Sequence, residues 1–510
     1  MAGIRIYDDT FVDAPLLERA LVDAEHNPPL LVQTLMSLAF AQGMAGQFEA
    51  SLRNARDAVT HAEAMRYPPL VSRALAMLVN TTFLYGHGID EASLQRALAL
   101  EDPDVDVPIP FCASAVNALV LAWTGQLDEA RSGMDAVRSR CIERGAENDM
   151  MAVTGYCTLI EIWRGNFAEA AVLAEDTMER AEEVGGSRTI ALTVRAAVHT
   201  YAVREPQARA DAAAALAIAH ECESPRLAEW PTMSLGLLEV SLGRYAEALT
   251  ALQPMLDVFD DLPGAEIMTA TFIPDAVEAM VALGRHTEAE PLIEVLEHDG
   301  RRLDRSWMLA VGARCRSMWL AARGDVVAAM RIAEHAMVVH ARLPMPFERA
   351  RTQLLLGQLQ RRQRQKDASS NTFREALRAF DAMGAALWVD RTRGRTRQGN
   401  GRAAPGRRRT HAVRAAGGRA GGIRHDQPRC GRRVVHQPKN GRGQPGPDLP
   451  QTRYQVARRA GPHHRRPVNR GAAMVHIGKY PIPGRWAAAN VRHHGRRWRP
   501  GLLPRRVVFA

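Results

Sequence analysis

Small and apolar residues recur along most of the chain at a helical spacing, and that arrangement is itself repeated. The clearest copy is GNFAEAAVLAEDTMERA, residues 165–181, where Phe167, Ala170 and Leu173 share one face of a helix and acidic residues cover the other. An apolar helix precedes it and ends at Gly165, because glycine adopts the left-handed backbone of a helix terminus at little cost. The pattern predicts a hairpin of two helices joined at this glycine.

The same hairpin pattern returns at nearly constant intervals. The turn glycines from Gly125 to Gly324 are separated by 40, 78, 41 and 40 residues, and the interval of 78 accommodates a degraded copy near Arg204. Other copies begin at Gly46, at Gly88 and, more weakly, at Lys366. A fixed period of about 20–50 residues is typical of solenoid proteins. We therefore predict an all-α solenoid of helical hairpins with a period of about 40 residues.

The repeat is defined by the turn glycines and, in the four clearest copies, by the apolar residue two positions later. These structural repeat positions are Gly46, Phe48, Gly125, Leu127, Gly165, Phe167, Gly243, Tyr245, Gly284 and Gly324. An amphipathic segment at residues 15–29 precedes the first hairpin and is predicted to form one further helix.

Charge divides the chain into two parts near residue 390. Residues 1–390 contain 36 Lys and Arg against 54 Asp and Glu, a net charge of −18, whereas residues 391–510 contain 30 against 2, a net charge of +28. The second part is rich in Arg, Gly and Pro and has no helical period. We predict a repeat domain over 1–390 and a mostly disordered basic tail over 391–510.

Candidate catalytic chemistry is sparse, and we expect no enzymatic activity, cofactor or metal site. The phosphate-binding motif GxxxxGKS/T is absent, and no GxSxG, HExxH or GxGxxG stands in a suitable context. Asp260 and Asp261 precede Leu-Pro-Gly and are interpreted as a solvated turn. His335 and His340 lie five residues apart and are interpreted as surface or groove histidines.

Cysteine and tryptophan usage favours a cytoplasmic protein with a packed interior. The six cysteines form no CxxC pair, and Cys157 and Cys315 in apolar helical stretches are expected to be buried free thiols. The sequence predicts neither a signal peptide nor an apolar run of the roughly 18 residues that a membrane span requires. Core packing is the first interpretation of four tryptophans, and a subset lining an effector pocket is the alternative: Trp123, Trp163, Trp230 and Trp319.

The small–aromatic–small pattern resembles the tetratricopeptide-like repeat, in the longer form found in MalT-like regulators of the large ATP-binding LuxR subfamily. The matching positions are Gly165/Phe167/Ala170, Gly243/Tyr245/Ala248 and Gly46/Phe48/Ser51, within residues 14–390. The resemblance implies that the repeat groove binds an effector or a partner protein and couples binding to an output domain. Such regulators usually carry an N-terminal ATPase region, and the abrupt start of this chain leads us to expect an array that has lost it.

The basic tail has a second interpretation, which depends on codons. The chain contains 63 Arg and 3 Lys, as a GC-rich gene would encode, and out-of-frame translation of such DNA produces mainly Arg, Gly, Pro and Ala. Shifting the frame by one base over residues 411–460 permits a sequence that resembles the LuxR-type helix-turn-helix, including its SPKTVE segment. Six adjacent residue pairs allow only two choices each, and every pair includes the family residue; His436-Gln437, for example, allows only Ile or Thr.

We therefore expect a frameshift between Arg391 and His411. The recognition helix that would enter the major groove is then absent from this chain, and the tail would bind DNA only non-specifically through phosphates. The predicted function is the sensor or scaffold region of a LuxR-family regulator whose specific DNA binding is lost. The alternatives are a helical-repeat protein that binds nucleic acid through its tail, and a plain protein–protein scaffold. Uncapped ends of the array would favour oligomers.

Overall fold

The computed structural model describes residues 14–184, 188–259, 264 and 266–400. These residues form α-helices joined by turns, and a short 3₁₀ helix lies at Ile109–Phe111. The helices are α1 (Ala14–Ala24), α2 (Pro28–Met44), α3 (Phe48–Met65), α4 (Pro68–Leu84), α5 (Glu91–Leu100), α6 (Ala113–Thr124), α7 (Leu127–Arg144), α8 (Glu147–Arg164), α9 (Phe167–Val184), α10 (Arg188–Tyr201), α11 (Glu205–Glu221), α12 (Pro225–Leu242), α13 (Tyr245–Asp257), α14 (Ile267–Ala270), α15 (Phe272–Ala282), α16 (His286–Leu303), α17 (Ser306–Ala322), α18 (Val326–His340), α19 (Pro346–Arg362), α20 (Lys366–Met383) and α21 (Ala386–Asn400).

Consecutive helices pair as hairpins, so the predicted all-α series is confirmed. The pairs are α2 with α3, α4 with α5, α6 with α7, α8 with α9, α10 with α11, α12 with α13, α15 with α16, α17 with α18, and α19 with α20. The helices α1 and α21 flank the series. In each pair the first helix has more buried residues than the second, because most first helices also pack against the first helix of a neighbouring hairpin.

The turn within a hairpin follows from one left-handed residue. Gly165 has φ +80°; its N–H donates to Ile162 O at 3.0 Å, and the N–H of Asn166 donates to Glu161 O at 2.8 Å, which satisfies the last carbonyls of α8. Where the glycine is missing from the degraded copies, Val203 (φ +59°) and Arg364 (φ +62°) adopt the same backbone. The hairpin geometry therefore persists even where its clearest sequence marker is lost.

The array returns on itself, so that helices distant in sequence come into contact. Ser224 Oγ donates to Met44 O at 2.8 Å across 180 residues of chain, and Arg302 Nη2 donates to Gly86 O at 2.8 Å across 216 residues. One continuous hydrophobic cluster extends from Val32 to Val389. Side chains thus fill the interior of the array.

The described residues between 14 and 400 belong to one compact unit. The predicted boundary at residue 390 falls inside α21, and the remainder of the predicted tail, from residue 401 onward, lies beyond the described part of the chain. Within the described ranges, no helix is both long and apolar enough to cross a membrane.

Candidate ligand-binding interior and groove

Aromatic rings line the interior where middle and late hairpins meet. Phe347, at the start of α19, lies with its ring centroid 4.9 Å from Tyr201, 6.1 Å from Phe167 and 5.5 Å from Trp388. All three pairs are edge-on, an arrangement that the ring quadrupoles favour. The interior is therefore held by specific ring contacts as well as by aliphatic packing.

A buried cluster of charged side chains adjoins the aromatic rings. The Arg351 guanidinium is only 3% exposed and donates to Asp275 at 2.7 Å and to Glu278 at 2.9 Å. Arg391 of α21 also pairs with Glu278, and Arg314 of α17 lies 2.5 Å from a Glu348 carboxylate oxygen. These contacts join α15, α17, α19 and α21 through charged side chains that are largely buried.

Burial perturbs the pKa values in this cluster. Burial raises the pKa of Asp275 to about 6, against the attraction of Arg351. Burial would also raise the pKa of Glu278, but Arg391 and Arg351 together hold it at about 2. Nearby, burial lowers the pKa of His340 to about 3, with a contribution from the positive charge of Arg314. At neutral pH, His340 is therefore neutral and Glu278 is ionised.

A small cavity lies between the rings and the charges. Its volume is about 40 Å³, enough for a few water molecules, since one water needs roughly 10–15 Å³ on this measure. The lining includes Trp163, Tyr201, Trp230, Phe347, Asp275, Glu348 and Arg351. The lining combines aromatic and charged side chains, but the cavity is too small for an effector without rearrangement of the array.

A larger opening, which we call the C-terminal groove, lies at the end of the array and has a volume of about 260 Å³. It is formed by Tyr245 and by the ends of α15, α17, α19 and α21. Its apolar wall comprises Val281, Ala282, Met318, Ala321, Ala322, Leu354, Leu355, Leu359 and Trp388, and its charged groups are Glu278, Arg351, Arg362, Arg391 and Arg395. Basic groups outnumber acidic groups on its lining.

The repeat positions predicted from the sequence lie at the hairpin turns. The six turn glycines all have positive φ: Gly46, Gly125, Gly165, Gly243, Gly284 and Gly324. Leu127 and Phe167 are buried, whereas Phe48 is half-buried with its ring centroid 4.7 Å from that of Tyr85. Tyr245 has a further contact, because its hydroxyl accepts a hydrogen bond from Arg391 at 2.8 Å on the border of the groove.

The four tryptophans divide between two environments. Trp163 and Trp230 line the small cavity, with ring centroids 6.2 Å apart. Trp123 stacks on Phe83 at 5.1 Å, and Trp319 Nε1 donates to His286 O at 2.9 Å, so both serve packing. The alternative of a tryptophan-lined pocket therefore concerns Trp163 and Trp230 alone.

The prediction for the two histidines is right for His335 and wrong for His340. His335 is exposed, whereas His340 is 1% exposed and its Nε2 lies 2.9 Å from Thr352 Oγ1. The inward face of α18 packs against α19, and a spacing of five residues places His340 on that face. Asp260 and Asp261 lie in a gap of the described ranges.

The cysteine prediction is confirmed where the structure describes it. Cys157 and Cys315 are fully buried free thiols, and burial raises the pKa of each to about 12. Cys430 falls past residue 400, beyond the described ranges. Among the described residues, no group of three His, Cys, Asp or Glu side chains could hold a metal ion.

The buried charge cluster is the feature that sequence reasoning missed. Its members lie within apolar helical segments: Asp275 and Glu278 in FIPDAVEAMVA, and Arg314 in AVGARCRSMWL. Charged residues are rarely buried unless they are paired, so a charge on the buried face of such a helix indicates a partner elsewhere. The sequence carries that indication, but it does not identify the partner.

No protein-family model and no curated protein sequence matches the chain. Several solved structures are similar to the chain. A Rap protein complexed with Competence and Sporulation Factor is similar at a TM-score of 0.52 with 9% identity, over 69% of this chain and 98% of that one. The apo form of RapI has a TM-score of 0.41 and 12% identity, over 68% and 97%. A signal-transduction ATPase with a tetratricopeptide repeat sensor, from Pyrococcus horikoshii, has a TM-score of 0.39 and 12% identity, over 70% and 57%.

The likeness to the first of these structures shows the fold. The chain is a tetratricopeptide-like helical-repeat protein, as the predicted fold class requires.

Proposed function

We propose that this chain is the sensor or scaffold region of a LuxR-type regulator, which binds a protein or effector and has lost its in-frame DNA-binding domain. The observation that carries the transcriptional part is the shifted-frame sequence of residues 411–460. There, all six of the two-choice positions permit the residue of the LuxR-type helix-turn-helix. Such a domain after a helical-repeat array is the order found in the family that the repeats resemble.

The packing of α21 supports a shift that occurs after Thr392. Thr392 is fully buried and donates its hydroxyl to Trp388 O at 2.7 Å, and Arg391 bonds Glu278 and Tyr245. Residues translated in the wrong frame are not selected for pairing with a buried carboxylate, so such pairing is not expected of them. These contacts support an in-frame α21 up to this point and narrow the expected interval to residues 393–411.

The binding part of the proposal is supported by the C-terminal groove and by the similar Rap structure, which contains a bound factor. Tetratricopeptide-like arrays stack hairpins to present extended surfaces, and such surfaces bind other molecules. The ring contacts of Phe347 join α9 and α10, in the middle of the array, to α19 and α21, which border the groove; they support a link between binding in the groove and the packing of the middle hairpins.

Restoring the frame tests the proposal. One base is deleted between codons 393 and 411, and the restored protein and the chain as it stands are each used to select from a pool of random duplex DNA. We expect the restored protein to enrich one sequence and the present chain to retain duplexes without preference, through contacts that weaken steeply with salt. Resequencing the gene over this interval shows whether the shift is present in the organism.

Other outcomes identify the alternatives. Enrichment of one sequence by the present chain would favour a nucleic-acid-binding protein that uses its basic tail. A restored protein that enriches nothing would refute the regulator assignment and leave the plain protein-binding scaffold.

A further inference from the structure

We propose that the C-terminal groove binds an acidic peptide segment of a partner protein, with a carboxylate between Arg362 and Arg395 and apolar side chains on the groove wall. This inference rests on the proposed partner-binding function and names the class of partner. It follows from three features of the groove: two guanidinium groups without a carboxylate partner, an apolar wall, and a basic end on an acidic array.

The first feature is an excess of positive charge. Arg351 and Arg391 share Glu278, and Arg351 also pairs with Asp275. Arg362 is exposed and donates only to a backbone carbonyl, that of Ala321, at 3.3 Å. In the described part of the chain no carboxylate oxygen lies within 4.0 Å of Arg362 or of the half-buried Arg395.

Arginine is suited to such a ligand. Its planar guanidinium donates two parallel hydrogen bonds to one carboxylate and is less strongly hydrated than the ammonium of lysine, so it binds at a partly buried site with a smaller desolvation cost. The two free guanidinium groups lie on α19 and α21, on the lining of one groove. A carboxylate placed there would neutralise charge that the array itself leaves unpaired.

The second feature is the apolar wall, which distinguishes a peptide from a nucleic acid. Side chains of Met318, Leu354, Leu355 and Leu359 reach the lining, and all except Leu359 and Leu354 remain partly exposed. A sugar–phosphate backbone is mostly polar and offers little apolar surface to cover these side chains. An amphipathic peptide has both the carboxylate and the apolar residues.

The third feature is the contrast in charge along the array. Residues 1–390 carry a net charge of −18, yet residues 351–395 contain ten Arg and Lys against four Asp and Glu. The acidic body repels polyanions such as duplex DNA at long range, and its basic end attracts an acidic segment locally. The basic tail of this chain has the same sign of charge as the groove, so we assign the groove to a segment of another protein.

The experiment uses the full chain and a phage-displayed library of random peptides, selected at about 0.15 M salt to limit non-specific attraction. We expect enriched peptides to carry Asp or Glu next to apolar residues. Synthetic copies of these peptides should bind Arg362→Glu and Arg395→Glu about ten-fold or more weakly, because each variant replaces a charge-assisted hydrogen bond with repulsion. Arg395→Lys should give an intermediate loss of affinity, since lysine keeps the positive charge but cannot donate two parallel hydrogen bonds to one carboxylate.

The matched control is Arg331→Glu, which makes the same change in charge at an exposed position of α18 outside the groove. Peptides that bind the basic tail instead would be insensitive to all of these variants. Far-UV circular dichroism and thermal unfolding confirm that each variant is folded.

Two results would overturn the inference: enriched peptides without acidic residues, or acidic peptides that bind the wild type and both groove variants equally. Peptide binding at another place would leave the proposed scaffold function standing, whereas the absence of any peptide binding would count against both. If random duplex DNA, assayed in parallel, loses affinity on Arg395→Glu but not on Arg331→Glu, the groove is a nucleic-acid site and the peptide assignment is wrong.

Discussion

Replacing Gly165 by alanine tests whether the array returns on itself as described. Gly165 has φ +80° at the turn between α8 and α9, and it also faces the start of α19. A Cβ atom at this position would lie 2.6 Å from Pro346 Cγ and 2.9 Å from Met383 Sδ. Met383 can move its flexible side chain, but the proline ring is fixed to the first turn of a helix.

The expected loss of stability has two parts. A left-handed backbone costs a non-glycine residue about 1–2 kcal/mol. Forcing a methyl group into an occupied site costs about 1–3 kcal/mol more, because neighbouring groups must shift. Gly165→Ala should therefore lower the free energy of unfolding by about 2–5 kcal/mol.

Gly243→Ala is the matched control, because it separates the two parts. Gly243 has nearly the same backbone, with φ +74°, at the equivalent turn of another hairpin, and nothing lies within 4 Å of the added Cβ. Gly243→Ala should therefore lower the free energy of unfolding only by the cost of the left-handed backbone, about 1–2 kcal/mol.

Urea denaturation followed by far-UV circular dichroism measures both variants, and equal slopes of the transitions would validate the comparison of midpoints. The expected result is a larger loss for Gly165→Ala by about 1–3 kcal/mol. Equal losses in the two variants would refute the contact between the α8–α9 turn and α19, and with it the closure of the array at this point.

Three further predictions concern the interior and the degraded repeat. Arg351→Met should destabilise the fold by about 3–5 kcal/mol, because it leaves the Asp275 carboxylate buried without its partner; the loss is measured by urea denaturation, and a change below about 1 kcal/mol would contradict the buried pairing. His340 has its pKa lowered to about 3 in the fold against 6.5 in the unfolded chain, so its contribution to stability is present above pH 6.5 and is lost as the pH falls from there towards 3. His340→Gln should remove up to about 1.4 kcal/mol per pH unit of that slope, and an unchanged pH profile of the unfolding midpoint would argue against a buried neutral imidazole. Val203→Gly should raise the free energy of unfolding by about 1 kcal/mol, because a β-branched residue there holds φ +59°; a loss of stability would mean that the side chain contributes more than its backbone strain costs.

Much of the fold could be predicted because its determinants are local. The spacing of Phe167 and Ala170 after Gly165 specifies an amphipathic helix after a left-handed turn, and the periodic return of that pattern specifies the series of hairpins. The degraded copy near Arg204 is also recoverable, because the period identifies it even where Val203 stands in place of glycine. These features depend only on residues within one unit.

The candidate site could be predicted only in part. Trp163 and Trp230 stand out by residue type, yet nothing in their sequence environment distinguishes them from Trp123, which packs in the core. The pairing of Arg351 with Asp275 spans 76 residues, and a period cannot indicate which of many charged residues will meet. His340 shows the same limit, since its burial depends on the packing of α18 against α19.

The local sequence therefore determines the structure of each hairpin, whereas the tertiary structure determines which hairpins contact one another. Gly165 and Gly243 occupy the same place in the repeat and have almost the same backbone, because that backbone is set by neighbouring residues in the chain. Only Gly165 touches a later helix, because small rotations between successive hairpins accumulate until distant ones come into contact. That accumulated rotation also closes the aromatic interior, brings Arg351 to Asp275 and leaves the C-terminal groove open at the last hairpins, and no local pattern encodes it.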